Sequence, residues 1–221
     1  MKLKITVVIG LCACPTLVSC AEKATEAAAI SQRELTTVQV LPRSTSDKTP
    51  KPASGLLPHT GGKITNIVIH HTQTPNEAAA KAPGRIASIF NWHTKDKPNP
   101  WKDIAYHYFI APDGKIFQGR DSRFQTDTGA AYPRDGALTV TLLGDFSETL
   151  PSSAALDTLV SLTRQKMAGH GLDPAAVSTH GKLAGGKTTC PGPKLQQWLD
   201  TTGKKRISES SPQKTRIKKK S

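Results

Sequence analysis

Three positions of this chain carry side chains that bind zinc in proteins: His180, Cys190, and one histidine of the pair His70 and His71. His180 precedes Cys190 by ten residues, whereas the histidine pair ends an apolar run far upstream. Zinc accepts imidazole nitrogen and thiolate sulfur, and three such protein ligands leave a fourth tetrahedral position open for water. If these side chains meet in the fold, their chemistry is that of a catalytic rather than a structural zinc site.

The spacing leaves open which of His70 and His71 is the ligand. The run 64–69 that precedes them has the apolar character of a buried strand. Neighbouring side chains of a strand point to opposite faces, so only one of the two imidazoles can face a metal from a regular strand. Both histidines therefore stay candidates on the local pattern alone.

The first residues have the pattern of an export signal. A charged start is followed by the apolar run 5–18, which is too short to span a membrane. The end, Ser19-Cys20-Ala21, resembles the lipobox of bacterial lipoproteins, in which the cysteine is lipidated. We expect a signal peptide over residues 1–19 and a lipid on Cys20. By resemblance to Gram-negative lipoproteins, Ala21 favours the outer membrane, facing the periplasm. The alternative is ordinary cleavage that leaves a soluble periplasmic or secreted protein.

Removal of this signal would leave Cys190 as the only cysteine of the folded part. Cys12 and Cys14 leave with the signal peptide, and Cys20 is either lipidated or also lost. No intramolecular disulfide is then available, and a lone thiol in an oxidising compartment is expected to be buried, ligated or catalytic. The count is consistent with a metal-ligand role for Cys190.

Composition divides the mature chain into three parts. Residues 20–61 are rich in Ala, Thr, Ser, Lys and Pro, and we expect them to form a flexible tether. Residues 62–200 carry the apolar periodicity of a folded domain. Residues 201–221 hold eight lysines and arginines against one glutamate, which predicts a disordered basic tail.

The chain carries a formal net charge of +13 at pH 7. Such a charge suits anionic partners in general, including nucleic acid, an anionic membrane surface or an acidic polymer. The export signal, together with the confinement of much of the charge to the tail, argues against nucleic-acid binding. We expect a monomer that meets the membrane through its lipid anchor.

Apolar periodicity predicts alternating strands and helices within the folded domain. Asp113-Gly114 is a turn signal that joins two strands as a hairpin, and Ser152 or Ser153 caps a long helix. The expected strands cover residues 64–69, 105–110, 115–118, 138–143 and 176–179, and the expected helices cover 83–95, 153–167 and 192–199. This alternation predicts an α/β fold with a single mixed central β-sheet flanked by helices.

Several blocks, taken in order, resemble the type 2 N-acetylmuramoyl-L-alanine amidases, a family that includes phage lysozyme-type amidases and the peptidoglycan recognition proteins. The blocks are residues 67–72, 101–110 with 113–114 and 119–121, and 189–192. Several blocks in family order are far more specific than one motif. The resemblance implies zinc-dependent hydrolysis of the amide between the lactyl group of N-acetylmuramic acid and L-alanine, with peptidoglycan or muropeptides as substrate.

The resemblance also assigns residues. In this family the first histidine of the leading block binds zinc, which selects His70, and the other ligands carry over to His180 and Cys190. Tyr106, which precedes a histidine in the central block, is implied to lie beside the metal. A non-catalytic peptidoglycan-binding or sensing module is the alternative. Members that only bind typically lack the third ligand, so the presence of Cys190 favours the enzyme.

The chain departs from the family pattern in two places. Some relatives have a lysine two residues before the third ligand, whereas the peptidoglycan recognition proteins have threonine. Here Thr188 holds that position and Lys187 comes one residue earlier, so either side chain is a candidate to stabilise the oxyanion. The segment 128–132 lacks the histidine that many relatives carry there.

Three further residues are candidates for contact with substrate. Trp92 and His93 lie on the first expected helix, where His93 either lines the cleft or packs inside the domain. Arg120 is suited to a stem-peptide carboxylate, with an ordinary surface ion pair to Asp121 or another acid as the alternative.

Overall fold

The computed structural model describes residues 39–41 and 54–209. The expected signal peptide, Cys20, most of the expected tether and the end of the basic tail lie outside the described residues. Among the described residues, no helix has both the length and the apolar character needed to cross a membrane.

One six-stranded sheet organises the domain, in the order β1-β4-β3-β5-β2-β6. Only the β3–β4 pair is antiparallel, and the other four pairings are parallel. The strands are β1 Val40–Leu41, β2 Asn66–His71, β3 Tyr108–Ile110, β4 Ile116–Gln118, β5 Ala137–Leu142 and β6 Val177–Thr179. The prediction of a single mixed sheet flanked by helices is confirmed.

Five α-helices accompany the sheet in the described part of the chain. They are α1 Ala82–Asn91, α2 Ser153–His170, α3 His180–Leu183, α4 Pro193–Trp198 and α5 Lys204–Ser208. The hydroxyl of Ser152 accepts the Ala155 N–H at the start of α2, which confirms the expected cap. Leu156, Leu159 and Val160 of α2 pack with Ile67 and Ile69 of β2 in one apolar cluster.

A second apolar cluster is built around α1. Ile86 and Phe90 of that helix pack with Phe109 and Phe117, which come from the β3–β4 hairpin. The hairpin turns at Gly114, whose φ of 82° is the left-handed conformation that glycine adopts without strain. Both clusters bury strand residues, and together they hold β2, β3 and β5 in fixed register.

The first helix and the strand β3 differ from the expectation in their bounds. The first helix ends as an α-helix at Asn91 and continues as a π-helical turn over Trp92–Asp96. The third strand begins at Tyr108 rather than at 105. The reason is that the Ala105 N–H and C=O bond the side chains of His93 and Thr126 instead of a neighbouring strand.

The ordered domain also extends beyond both expected boundaries. Val40 and Leu41, within the expected tether, pair with β4, and His59 is buried with its Nδ1 accepting the Gly136 N–H at 2.8 Å. At the other end, Ile207 of α5 is buried in the cluster around α2. These side chains are buried although the segments around them are mostly polar, so composition did not predict their burial.

Candidate metal centre

His70, His180 and Cys190 converge at the carboxyl ends of two neighbouring parallel strands. His70 is the second-to-last residue of β2, and His180 follows β6 directly as the first residue of α3. One potential ligand atom from each of the three residues lies within 4.8 Å of the others, and all three residues are buried. The Sγ atom of Cys190 is 3.6 Å from Nδ1 of His70.

Strand periodicity explains why His70 and not His71 joins this group. Ile67 and Ile69 point into the cluster around α2, while Val68 packs on the opposite face with Tyr132. His70 shares the face of Val68. His71 points the other way, where its Nδ1 accepts the Phe146 N–H at 3.3 Å.

One loop, residues 128–132, contacts the Nε2 atom of both histidines. Nε2 of His70 is 3.2 Å from the hydroxyl of Tyr132. Nε2 of His180 is 2.9 Å from the carbonyl oxygen of Ala130 and 3.0 Å from the hydroxyl of Thr128. Sequence reasoning treated this loop only as a place where a histidine is missing, and the residue types in it gave no signal of contact with His70 or His180.

Burial shapes the protonation of this centre. It lowers the pKa of His70 well below its usual value, and it lowers the pKa of His180 as well, so both imidazoles are neutral and able to bind a metal. Burial raises the pKa of the Cys190 thiol to about 12. A metal that binds there must displace the thiol proton, which couples metal binding to proton release.

The donor set fits zinc. Bond lengths of about 2.1 Å to nitrogen and 2.3 Å to sulfur place two tetrahedral ligands about 3.6 Å apart. The distance of 3.6 Å between His70 Nδ1 and Cys190 Sγ agrees with this geometry. Two imidazoles and one thiol are also the ligand types that zinc prefers over harder cations.

Tyr106 lies beside the group. Its ring centroid is 5.3 Å from that of His70 and 5.6 Å from that of His93. Burial raises the pKa of the Tyr106 phenol, with a further contribution from Cys190, so the phenol stays protonated at neutral pH. His93 is buried, its Nδ1 accepts the Ala105 N–H at 3.2 Å, and it packs on both Tyr106 and Trp101.

The structure places Thr188 in the turn that carries Cys190. The Thr188 hydroxyl accepts the Cys190 N–H at 3.2 Å, whereas Lys187 is exposed. The same turn is held against α3, because the Gly181 N–H donates to the Cys190 carbonyl at 2.7 Å. This bond ties the backbone next to His180 to the backbone of Cys190.

The two remaining substrate candidates lie in opposite environments. Trp92 is 54% exposed at the start of the π-helical turn. Arg120 is 2% exposed, and its guanidinium donates to the carbonyls of Ile104, Asp103 and Gln125 and to the carboxylate of Asp127. The surface ion pair with Asp121 is made by Arg123 instead. Arg120 therefore holds loops together inside the domain, where it is closed to solvent.

The fold and the site define a mixed α/β domain with three potential metal ligands grouped at the carboxyl ends of β2 and β6. The family model for N-acetylmuramoyl-L-alanine amidase matches residues 60–193. The chain belongs to that family.

The curated relatives that this chain matches include peptidoglycan recognition proteins. Peptidoglycan-recognition protein 1 of Holotrichia diomphalia is 29% identical over 45% of this chain and 49% of its own length. Peptidoglycan-recognition protein SD of Drosophila melanogaster is 38% identical over 29% of this chain and 34% of its own length. The chain thus spans half or less of these relatives.

Solved structures confirm the fold. Drosophila peptidoglycan recognition protein SD matches with a TM-score of 0.65 at 22% identity, covering 74% of this chain and 94% of that chain. Peptidoglycan recognition protein LE in complex with tracheal cytotoxin, a monomeric diaminopimelic acid-type peptidoglycan, matches with a TM-score of 0.62 at 24% identity, covering 72% and 92%.

Proposed function

We propose that the protein is a zinc-dependent N-acetylmuramoyl-L-alanine amidase, which hydrolyses the amide between the lactyl group of N-acetylmuramic acid and L-alanine in peptidoglycan or muropeptides. The observation that carries the proposal is the convergence of His70, His180 and Cys190, whose potential ligand atoms lie within 4.8 Å of one another. Three ligands of this kind match a catalytic zinc site with an open fourth position.

These three residues would hold zinc, which supplies a Lewis acid and lowers the pKa of a water molecule toward neutrality. The chain supplies a fixed and largely dry environment for it. His70 and Cys190 are 2% and 8% exposed, so charge that develops on the substrate is poorly screened by bulk water. Electrostatic contributions to the barrier are larger in such a setting.

Tyr106 has the protonation state of a hydrogen-bond donor. Its raised pKa makes it a poor general base at neutral pH, so its role is to orient water or to donate to the oxyanion. Thr188 is the second donor. Its oxygen already accepts the Cys190 N–H, which leaves its own O–H free to rotate toward the reacting carbonyl. Lys187 is exposed, and we assign it the lesser role.

Peptidoglycan as the substrate is supported by the relatives. Their names refer to peptidoglycan recognition, and one neighbour of the same fold was solved with a diaminopimelic acid-type fragment. Trp92, exposed at the start of the π-helical turn, offers an apolar platform for the sugar or the peptide.

The names of these relatives favour a second candidate function, a peptidoglycan-binding module without catalysis. The two candidates share a ligand and differ in whether the amide is cut. The presence of the complete ligand set is the reason to prefer the enzyme.

The test is digestion of purified muropeptides by the zinc-loaded full chain, followed by mass spectrometry. Release of free stem peptide is expected, and Cys190→Ser should lose most of the activity because serine is a poor zinc ligand. Thr189→Ser, at the exposed neighbouring position, is the matched control and should keep it. A zinc-loaded protein that binds muropeptides and leaves them intact would establish the recognition module instead.

The envelope location is a separate proposal from the sequence. We propose that Cys20 carries lipid and anchors the protein, as a monomer, to the outer membrane. Metabolic labelling with palmitate should mark the wild-type chain and not Cys20→Ser. An unlabelled wild-type chain recovered in soluble form would favour the secreted alternative.

A further inference from the structure

One loop contacts Nε2 of both histidines of the candidate metal centre. The loop runs from Thr128 to Tyr132, between β4 and β5. Its Tyr132 hydroxyl is 3.2 Å from Nε2 of His70, and its Ala130 carbonyl is 2.9 Å from Nε2 of His180. Thr128 lies within 3.0 Å of the same His180 nitrogen and donates its own O–H to the Ala130 carbonyl at 2.9 Å.

The chemistry of these contacts decides which nitrogen of each ring is free. A carbonyl oxygen accepts and never donates, so Nε2 of His180 must carry the proton, and its Nδ1 keeps the lone pair. For His70, Nδ1 is the nitrogen that lies 3.6 Å from Cys190 Sγ, which leaves Nε2 to donate to Tyr132. A neutral imidazole with its remote N–H bonded in this way has a fixed tautomer and a fixed ring orientation.

We propose that Tyr132 and Thr128 are positioning residues, which hold His70 and His180 as Nε2–H tautomers with Nδ1 of both rings directed at the metal position. This inference rests on the proposed zinc function. One loop would thereby orient two of the three ligands. Neither residue touches substrate in this assignment, so the effect of each is transmitted through a histidine.

Packing alone is the competing explanation for Tyr132. The residue is 7% exposed and belongs to a small apolar cluster with Val68 and Ala137, so its ring would be retained for burial in any case. Tyr132→Phe separates the two explanations, because it keeps the ring and removes only the hydroxyl that meets His70. Tyr108→Phe is the matched control, since Tyr108 is also buried but packs in the cluster around α2.

The experiment measures zinc affinity of the full chain by competition with a chromophoric chelator. Tyr132→Phe should weaken zinc binding by about 10- to 100-fold, the usual effect of removing a partner of a metal-bound histidine. Tyr108→Phe should bind zinc like the wild type. Long-range proton–nitrogen NMR of the metal-free protein should show the Nε2–H form of His70 in the wild type and a mixture of tautomers in Tyr132→Phe. Wild-type affinity and a single His70 tautomer in Tyr132→Phe would overturn the proposal.

A pair at Thr128 covers the case in which Tyr132→Phe does not fold. Thr128→Val should weaken zinc binding, and Thr128→Ser, which keeps the hydroxyl, should restore it. Equal zinc affinity of these two variants would refute the role of Thr128. Zinc affinity also separates this proposal from the amidase assignment. A wild-type chain that binds zinc but cuts no muropeptide contradicts only the amidase, whereas a chain that binds no zinc contradicts both.

Discussion

Replacement of Gly181 by alanine should damage the metal centre although alanine is the better helix former. Gly181 lies within α3 and has no positive φ, so alanine suits its backbone. In an open helix this change stabilises by about 1 kcal/mol. Here a Cβ atom would lie 2.7 Å from the Cys190 carbonyl oxygen and 3.0 Å from the Thr188 carbonyl oxygen.

The size of the clash sets the expected effect. Carbon–oxygen contacts normally begin at about 3.3 Å, so the Cys190 carbonyl must move by roughly 0.6 Å. That carbonyl accepts the Gly181 N–H, and the movement therefore carries Cys190 away from His180. Overpacking of this kind costs about 1–3 kcal/mol, which exceeds the gain in helix propensity. For the proposed amidase reaction, a displacement approaching 1 Å would cost on the order of 100-fold in rate.

The assay compares Gly181→Ala with Gly169→Ala in urea unfolding and in zinc competition. Gly169 lies in α2, where an added Cβ meets nothing within 4 Å. Gly169→Ala should leave zinc affinity unchanged and the free energy of unfolding equal or higher. Gly181→Ala should lower both the free energy of unfolding and the zinc affinity, with zinc binding weakened tenfold for each ~1.4 kcal/mol of overpacking strain that acts on the ligand geometry. A Gly181→Ala protein as stable and as zinc-competent as Gly169→Ala would refute the close-approach reasoning.

Two further predictions concern buried polar groups away from the metal. Arg120→Lys should lower the free energy of unfolding by about 1–3 kcal/mol, because lysine keeps the charge but cannot donate to three buried carbonyls and Asp127 together. Arg123→Lys on the surface should change urea unfolding little. Burial lowers the pKa of His107 to about 4, so the unfolded chain binds a proton first as pH falls below about 6.5. Stability should therefore be greatest above pH 6.5 and fall by on the order of 3 kcal/mol toward pH 4. Equal urea midpoints at about pH 7.5 and pH 5, or an imidazolium His107 by NMR at pH 5, would contradict this.

The helices and strands that were predicted correctly are those whose apolar residues form a pattern within a few neighbouring positions. The apolar run of β2 and the apolar face of α2 are local patterns, and both are present as expected. The start of β3 was placed too early because its residues are strand formers. The backbone of Ala105 is taken by the side chains of His93 and Thr126, which lie 12 and 21 residues away. Such tertiary competition leaves no trace in a local window.

The burial of His59 and Ile207 was missed for a related reason. Composition averages over a segment, and both residues lie among polar or charged neighbours in the sequence that are mostly exposed to solvent. Ile207 packs in the apolar cluster around α2, and this contact helps hold α5 against the domain. The expected boundaries at 62 and 200 therefore fell inside ordered structure.

In the candidate site, too, some residues are predictable from the local sequence and others depend on the fold. His180, Cys190 and the pair His70 and His71 were candidates because their side chains are of the types that bind zinc, and the resemblance to the family then selected His70 over His71. Parallel strands β2 and β6 bring their carboxyl ends together, so ligands placed just after each strand meet without long loops. The loop 128–132 belongs to a different class, because its contacts involve a backbone carbonyl and common hydroxyls. Carbonyls are present at every residue, and only the fold determines which one faces an imidazole. For this reason sequence indicates the potential ligands of a metal centre more readily than the groups that orient them. Experiments on the orienting groups of this protein are therefore the most informative.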